Sequence, residues 1–410
     1  MALSPVRLVI SLCAIVLICL IGWTMDAALM GEVRLPGQGS AAGVESVGDF
    51  SSSADLRGYL MNPGETLRLL EESRLRRKGQ GVFAMLWHFG SSRFNGATVS
   101  LFRLDVTDVL MNIWLLGLGL VWAVKYHPIY SVVYFVVISV IISVCGGAIC
   151  RTAALEFARG EKPGLGEAMR FGFRRFRHLI TAPMVLTMLT VLFGLGAFVI
   201  GLLGNIRYAG ELIIALGMGA ALVCGLLTLI FLIGAVVGAN LTFPVIAYEG
   251  SDGYDAISRS FCYVYRRPWW LFCYTVIAAG YGTVSYLVVR LFTYLLLAMT
   301  RLLLDLGVFN GGDGAGKLAR IWGKPDFYEL LRPSAGPDGF TESAAAFIIY
   351  MTVLLVIGVI AAFVMSFYFC ASTIVYALMR RKVDGVEMSE VYIPLEASGE
   401  GGLRAGDNGD

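Results

Sequence analysis

The sequence predicts an all-α, polytopic transmembrane bundle of about seven spans, with two short interfacial amphipathic helices on its cytoplasmic side. Three observations carry this expectation. Of 410 residues, 57% are hydrophobic and only 15% are charged, against ~25% charged in ordinary soluble domains. Apolar runs of ~20 residues or more recur along the chain, each long enough to cross a hydrocarbon core of ~30 Å. Two passages, 147–179 and 238–270, each leave one apolar run, pass through a polar amphipathic segment and enter the next run.

The first apolar run is 6–25, within a first segment of residues 1–25. Arg7 and the run length invite a signal-peptide reading, but no small-x-small site follows, so an uncleaved transmembrane helix is expected. Residues 26–107 form a polar segment. Gly, Ser and Ala dominate 30–53, Asn62-Pro63-Gly64-Glu65 reads as a helix start, and a charged helix is expected over 65–78, ending in Arg74, Arg76, Arg77 and Lys78. Gly90 to Ser100 reads as a turn. A transmembrane domain follows over 108–378, with runs at 108–125, 129–150, 179–204, 212–240, 269–298 and 344–378. Lys125-Tyr126-His127-Pro128 and Asn205–Glu211 are short hairpins between antiparallel helices. The last two runs exceed a simple span and must tilt, kink or project beyond the bilayer. Residues 309–340 form a Gly/Pro-rich loop, and 379–410 a polar cytoplasmic tail whose last residues read as disordered.

Lys and Arg set the orientation. Segment 151–178 carries Arg151, Arg159, Lys162, Arg170, Arg174, Arg175 and Arg177; 241–268 carries Arg259, Arg266 and Arg267; the tail begins with Arg380, Arg381 and Lys382. The positive-inside rule makes their shared side cytoplasmic. Counting seven spans backwards then puts 26–107 inside and the amino-terminal end outside, although Arg7 by itself argues for inside. A periplasmic 26–107 is the alternative.

Placing Glu161 over Glu249 aligns Glu167 with Asp255, Ala168 with Ala256 and Phe173 with Phe261 at a constant offset of 88 residues. This suggests a parallel repeat of 129–204 and 212–298, against the plainer account of two connectors under similar constraints. In the first copy Leu165, Met169, Phe173 and Phe176 share a stripe; in the second, Tyr254, Ile257, Phe261 and Val264 do. Such helices lie in the interface plane, apolar side down. Arg170, Arg174, Arg175, Arg177, Arg259, Arg266 and Arg267 are therefore candidate lipid-headgroup contacts, with Trp269 and Trp270 in the headgroup belt. A topological anchor with no ligand is the plainer alternative.

Three stretches, EFARGEKPGLGEAMRF, PVIAYEGSDGYDAISRSFCYVYRRPWW and STIVYALMRRKVDGVEMSEVY, resemble a family of uncharacterised bacterial multi-pass membrane proteins over about 100–393. More distantly, they are similar to the membrane domain accompanying some glycerophosphodiester phosphodiesterases. The resemblance implies a bacterial inner-membrane location and a helical bundle, and no reaction.

The motifs that carry chemistry are weak. Gly311 to Lys317 fits GxxxxGK, but Leu318 stands where a nucleotide loop needs Ser or Thr, and the stretch follows a membrane helix. His88, His127 and His178 have no metal-clasping spacing, and the eight cysteines form no CxxC pair. Glu249, Asp252 and Asp255 cluster at a membrane exit, where Asp252 and Asp255 suit the first turn of a surface helix. Arg290 is expected to snorkel to the outer interface, and Asn112, Asn240 and Thr242 are polar groups within spans, with interhelical hydrogen bonding as their expected role. Gly234 and Gly238 form a GxxxG suited to helix packing. No catalytic, metal or cofactor-binding residue is assigned. The net charge of +2 argues for no nucleic acid, and the expected partners are membrane lipids and a possible membrane protein. The leading expectation is a non-enzymatic membrane scaffold or subunit. The alternative is a transporter or lipid-handling permease using the repeat, and a lipid-active enzyme rests only on the distant resemblance.

Overall fold

A computed structural model of the chain describes residues 2–30, 63–76, 81–206, 210–307, 317–327, 330–331 and 339–392. The expected loop 31–53, Arg77 and Lys78, Gly311 to Gly316 of the GxxxxGK stretch, and the end of the polar tail lie outside the described residues. Among the described residues the structure is all-α: α1 (Pro5–Met30), α2 (Pro63–Arg76), α3 (Val82–Phe102), α4 (Val106–Tyr126), α5 (Pro128–Arg159), α6 (Leu165–Arg174), α7 (Phe176–Leu203), α8 (Gly210–Glu249), α9 (Gly253–Arg266), α10 (Pro268–Gly307), α11 (Lys317–Ile321) and α12 (Phe340–Asp384). Seven of them, α1, α4, α5, α7, α8, α10 and α12, are long and apolar enough to cross a membrane. The protein is thus a multi-pass transmembrane helical bundle.

Prolines open α1, α2, α5 and α10, where the missing N–H has no intrahelical partner to lose. Glycines in the left-handed region close α5, α8 and α12: Gly160 at φ 73°, Gly250 at φ 62° and Gly385 at φ 70°. Pro183 and Pro244 sit inside continuous helices, α7 and α8.

The chain divides into two compact units. The first comprises 1–10, 139–277 and 365–410, the second 11–138 and 278–364. In the first unit α7 and α8 pack along each other, with Phe193 and Phe231 stacked at 5.3 Å. Their outer faces expose Met188, Val191, Phe198, Leu216, Leu222 and Leu226, an arrangement suited to a lipid solvent. The buried core draws on Ala148, Ile149 and Ala153 of α5, Leu241, Val245 and Ile246 of α8, and Phe369, Tyr376 and Met379 of α12.

The two short helices double back along the long helices that precede them, where the sequence suggested helices laid flat. Gly238 of α8 faces Ser260 of α9, Gly234 is where the Phe261 ring lies, and the Tyr265 hydroxyl donates to the Ile230 carbonyl at 2.8 Å. Residue numbers rise along α9 as they fall along α8, so the pair is antiparallel. The Gly234–Gly238 motif therefore seats a helix of the same chain, since a side chain at Gly234 would collide with Phe261. In the same way Gly172 of α6 lies against the Val144 carbonyl of α5. The buried edge of α6 is built from the small residues Ala168 and Gly172, and that of α9 from Gly253, Ala256 and Ser260 together with Tyr263 and Val264, the last a member of the expected apolar stripe. Leu165, Phe173 and Tyr254 of the expected apolar stripes are exposed. Close backbone approach selects small residues on the inner edge.

These edges bear on the register of the two passages. Ala168 and Ala256 are both buried, as are Gly172 and Ser260, which keeps the offset of 88 within the short helices. The helix exits do not follow it, because residues 160–164 link α5 to α6 whereas only 250–252 link α8 to α9. Glu249 is the last residue of α8, while Glu161 lies beyond Gly160, so these two glutamates are not structural counterparts.

The second unit holds the larger surprise. Gly90 to Ser100, expected as a turn, is the middle of α3. α3 packs on α4 through its small residues: a side chain at Gly96 would come within 2.8 Å of Asn112, and one at Gly119 of α4 within 3.1 Å of the Phe89 ring. Tertiary contact thus overrides the poor helix propensity of glycine. The start of α3 is capped from α1, as the Asp26 carboxylate accepts from the backbone N–H of Phe83 and Ala84 at 3.1 and 3.2 Å. Leu67 and Leu70 of α2, Phe83 and Phe89 of α3, Leu115 and Trp122 of α4, and Tyr130 and Tyr134 of α5 form one apolar cluster. Segment 26–107 therefore contributes two helices to a core and is not merely polar. A second cluster joins Tyr286 and Leu297 of α10, Leu318 of α11, Trp322, and Val353 and Ile360 of α12, so part of the expected Gly/Pro-rich loop is packed. Arg290 does not snorkel outward. It is 5% exposed and donates to Asn95 at 2.6 Å, to the Tyr286 hydroxyl at 3.0 Å and to the Phe327 carbonyl at 3.0 Å.

Candidate functional site

The densest polar constellation lies in the first unit, where α8 ends. Glu249 closes α8 and is 9% exposed. Its Oε1 accepts from the Tyr376 hydroxyl at 2.6 Å and lies 3.4 Å from Arg380 Nε; its Oε2 lies 2.6 Å from Arg259 Nη1. One carboxylate of α8 thereby holds α9 and α12 together. Arg259 also pairs with Asp255 one turn earlier, at 3.1 Å. Burial by itself disfavours the Arg259 charge, but Glu249 and Asp255 outweigh it and hold its pKa above the usual value. Tyr263 donates to Asp384 at the end of α12, and burial, reinforced by that carboxylate, raises its pKa. Burial pushes the Tyr248 hydroxyl up to about 12, and the Tyr248 and Tyr263 rings lie 5.5 and 5.9 Å from that of Tyr376.

The chain beyond Gly385 returns to this cluster as a strap. Tyr392 N–H donates to the Tyr248 carbonyl at 2.8 Å, and the Glu390 carbonyl accepts from Arg380 at 2.7 Å. Arg151 of α5 bridges the strap to α8, donating to the carbonyls of Tyr392 and Ala247 at 2.8 and 2.9 Å. The Tyr392 ring covers Gly250, where an added Cβ would meet it at 2.5 Å. Arg175 lies over the Tyr392 ring, 5.7 Å from its centroid.

The amino-terminal end of the chain belongs to the same unit. Arg7 of α1, 2% exposed, donates to Thr152 Oγ1 at 3.0 Å and pairs with Glu156 in the last turns of α5. It therefore lies near the arginine-rich end of α5. Sequence reasoning missed this pair, along with Tyr376, Asp384, Tyr392 and the role of Arg151. Partners about a hundred residues apart or more leave no local spacing to read.

The basic residues singled out from the sequence fall into two sets. Arg259 and Arg175 face internal partners, as described. Arg170, Arg174, Arg177, Arg266 and Arg267 are exposed. Asp252 stands at the amino-terminal cap position of α9, yet its side chain makes no capping hydrogen bond and lies 3.5 Å from His178. His127 lies 3.7 Å from Glu71. Asn112 donates to the Asp108 carbonyl of its own helix, whereas Asn240 accepts from Tyr368 across to α12. Among the described residues no three His, Cys, Asp or Glu side chains converge as metal ligands would. In comparisons with known proteins, no family model, no curated protein and no solved structure matches this chain.

Proposed function

We propose that this chain is a non-enzymatic component of the bacterial inner membrane, a scaffold or subunit whose arginine-rich end lies in the cytoplasm. The observation that carries the reading is the engagement of Glu249 by side chains of other helices. The carboxylate best buried at that end is held by Tyr376, Arg259 and Arg380 from two other helices. A catalytic carboxylate has to reach a substrate; this one is spent on joining chain segments. The strap and Arg151 extend the same joinery.

The positive-inside rule supports the cytoplasmic placement of this end. The Arg7–Glu156 pair supports bringing the amino-terminal end to that side too, which reverses the expectation from span counting and agrees with Arg7 itself. Residues following α1 are then periplasmic. Glu71 of α2 receives a hydrogen bond from Trp122 at 3.0 Å and neighbours His127, in the hairpin that one crossing of α5 separates from the arginine-rich passage. This favours the periplasmic alternative for segment 26–107. With both ends of the chain inside, crossings are even in number. α4 meets that requirement by pairing with α3, its antiparallel neighbour, so that the hairpin crosses as a pair or not at all.

Two experiments test the reading. In a cysteine-free background, Leu3→Cys and Ser258→Cys should react with a membrane-impermeant maleimide only in inverted vesicles, and Lys125→Cys only in intact cells; labelling of Leu3→Cys from outside refutes the orientation. Cross-linking in intact cells should recover a stoichiometric protein partner. Recovery solely as a free chain that turns over a substrate in vesicles refutes the scaffold.

A further inference from the structure

We propose that the junction of α9, α10 and α12 binds the phosphate of an anionic phospholipid in the leaflet that α10 enters. Arg266 and Arg267 end α9, and Trp269 and Trp270 open α10. The Lys382 ammonium lies 4.4 Å from the centroid of the Trp270 ring, and the Tyr263–Asp384 hydrogen bond ties the end of α12 to α9. Arg266, Arg267, Arg381 and Lys382 are all exposed, and Trp269 is 78% exposed.

Indole rings favour the headgroup layer, where one edge meets hydrocarbon and the N–H meets water. A cation stacked on such a ring is held at the depth of the lipid phosphates, and guanidinium groups beside it offer paired donors to phosphate oxygens. Asp384, two residues beyond Lys382, is engaged by Tyr263. Glu387 and Glu390 lie beyond the left-handed Gly385, where Glu387 accepts from Ser389. Four exposed cations therefore lie within a few residues of the Tyr263–Asp384 and Lys382–Trp270 contacts, at the mouth of a span. This differs from Arg259, which is paired with Glu249 and Asp255, and from Arg175, which lies over the Tyr392 ring. The proposal goes beyond the scaffold reading and does not depend on it, or on which leaflet is involved.

The test is native mass spectrometry of the full-length protein from mixed micelles containing equimolar phosphatidylglycerol and phosphatidylcholine. The wild type should retain phosphatidylglycerol in clear excess. An R266Q/R267Q/K382Q variant should lose that preference by tenfold or more, given about fivefold per charge near a lipid surface. A charge-matched R68Q/R103Q/K125Q variant should keep it. K382Q alone should lose about fivefold, and serves should the triple variant fail to fold. An unchanged preference in K382Q and the triple variant, an equal loss in the charge-matched variant, or displacement of the lipid by excess inorganic phosphate overturns the proposal.

Discussion

Replacing Glu249 should loosen the whole arginine-rich end of the protein, and the size of the effect follows from its contacts. In Glu249→Ala the Tyr376 hydroxyl loses a charged acceptor at 2.6 Å, a hydrogen bond of the kind worth ~1.5–3 kcal/mol. Arg380, 14% exposed, loses its carboxylate. Arg259 is 44% exposed, so solvent screens its loss and it adds little. The total is ~3 kcal/mol, at the low end of the 3–5 kcal/mol range typical of breaking a fully buried pair. For a unit of about 200 residues this lowers the melting temperature by roughly 6–12 °C. Glu249→Gln keeps an acceptor for Tyr376 and should lose about a third as much. The assay is thermal unfolding followed with a thiol-reactive dye, because Cys150 and Cys370 are buried in this unit and become reactive when it opens. A Tyr376→Phe background should shrink the Glu249→Ala effect, since the two residues share one interaction. A shift under about 1 °C for Glu249→Ala would refute the idea that this carboxylate joins the helices.

Three further outcomes follow from neighbouring geometry. Gly250→Ala should cost ~1–2 kcal/mol for a left-handed alanine plus the collision with Tyr392, whereas Gly160→Ala, with open space around it, should show only the backbone part; thermal melts of both, and of Gly250→Ala in a Tyr392→Ala background, check this. Asp26→Ala should remove the cap of α3 at ~1 kcal/mol, read as faster hydrogen exchange at the Phe83 and Ala84 amides, with no change at α9. Tyr248 and Tyr263 have pKa values raised on folding, so the folded state binds their protons more tightly than the unfolded one. The stability they contribute is intact below the unfolded tyrosine value near ~10 and falls as pH rises past it; melts between pH 8 and 11 should show that loss, and a Tyr248→Phe/Tyr263→Phe variant should reduce it.

Much of this architecture was legible along the chain, and the reason is local. A span announces itself by twenty apolar neighbours, a helix start by Pro63, and a short helix between two spans by the switch from apolar to amphipathic pattern at 151–178 and 241–268. The candidate lipid contacts rest on charge density alone. Charge density flagged all seven arginines, but whether an arginine faces lipid or a carboxylate depends on which helix arrives beside it. Arg259 meets Glu249, and Arg266 meets no such partner among the contacts seen. The α3 helix was misread because Gly90 and Gly96 look like turn formers until α4 arrives, with Asn112 leaving no room for a side chain at Gly96.

By itself, then, the order of residues determined that the chain is helical, that it crosses a membrane several times, and which segments are basic. Each of these depends on neighbours within one or two turns. The folded molecule decided what no such window contains. It set Arg7 against Glu156, closed Tyr376 and Arg380 on Glu249, turned α6 and α9 back along their predecessors, and brought Lys382 over Trp270. Those contacts join residues about a hundred positions apart or more, or hinge on which face of a helix is offered. The physical selection behind them, small residue against backbone and buried charge against its opposite, acts only once the helices have met.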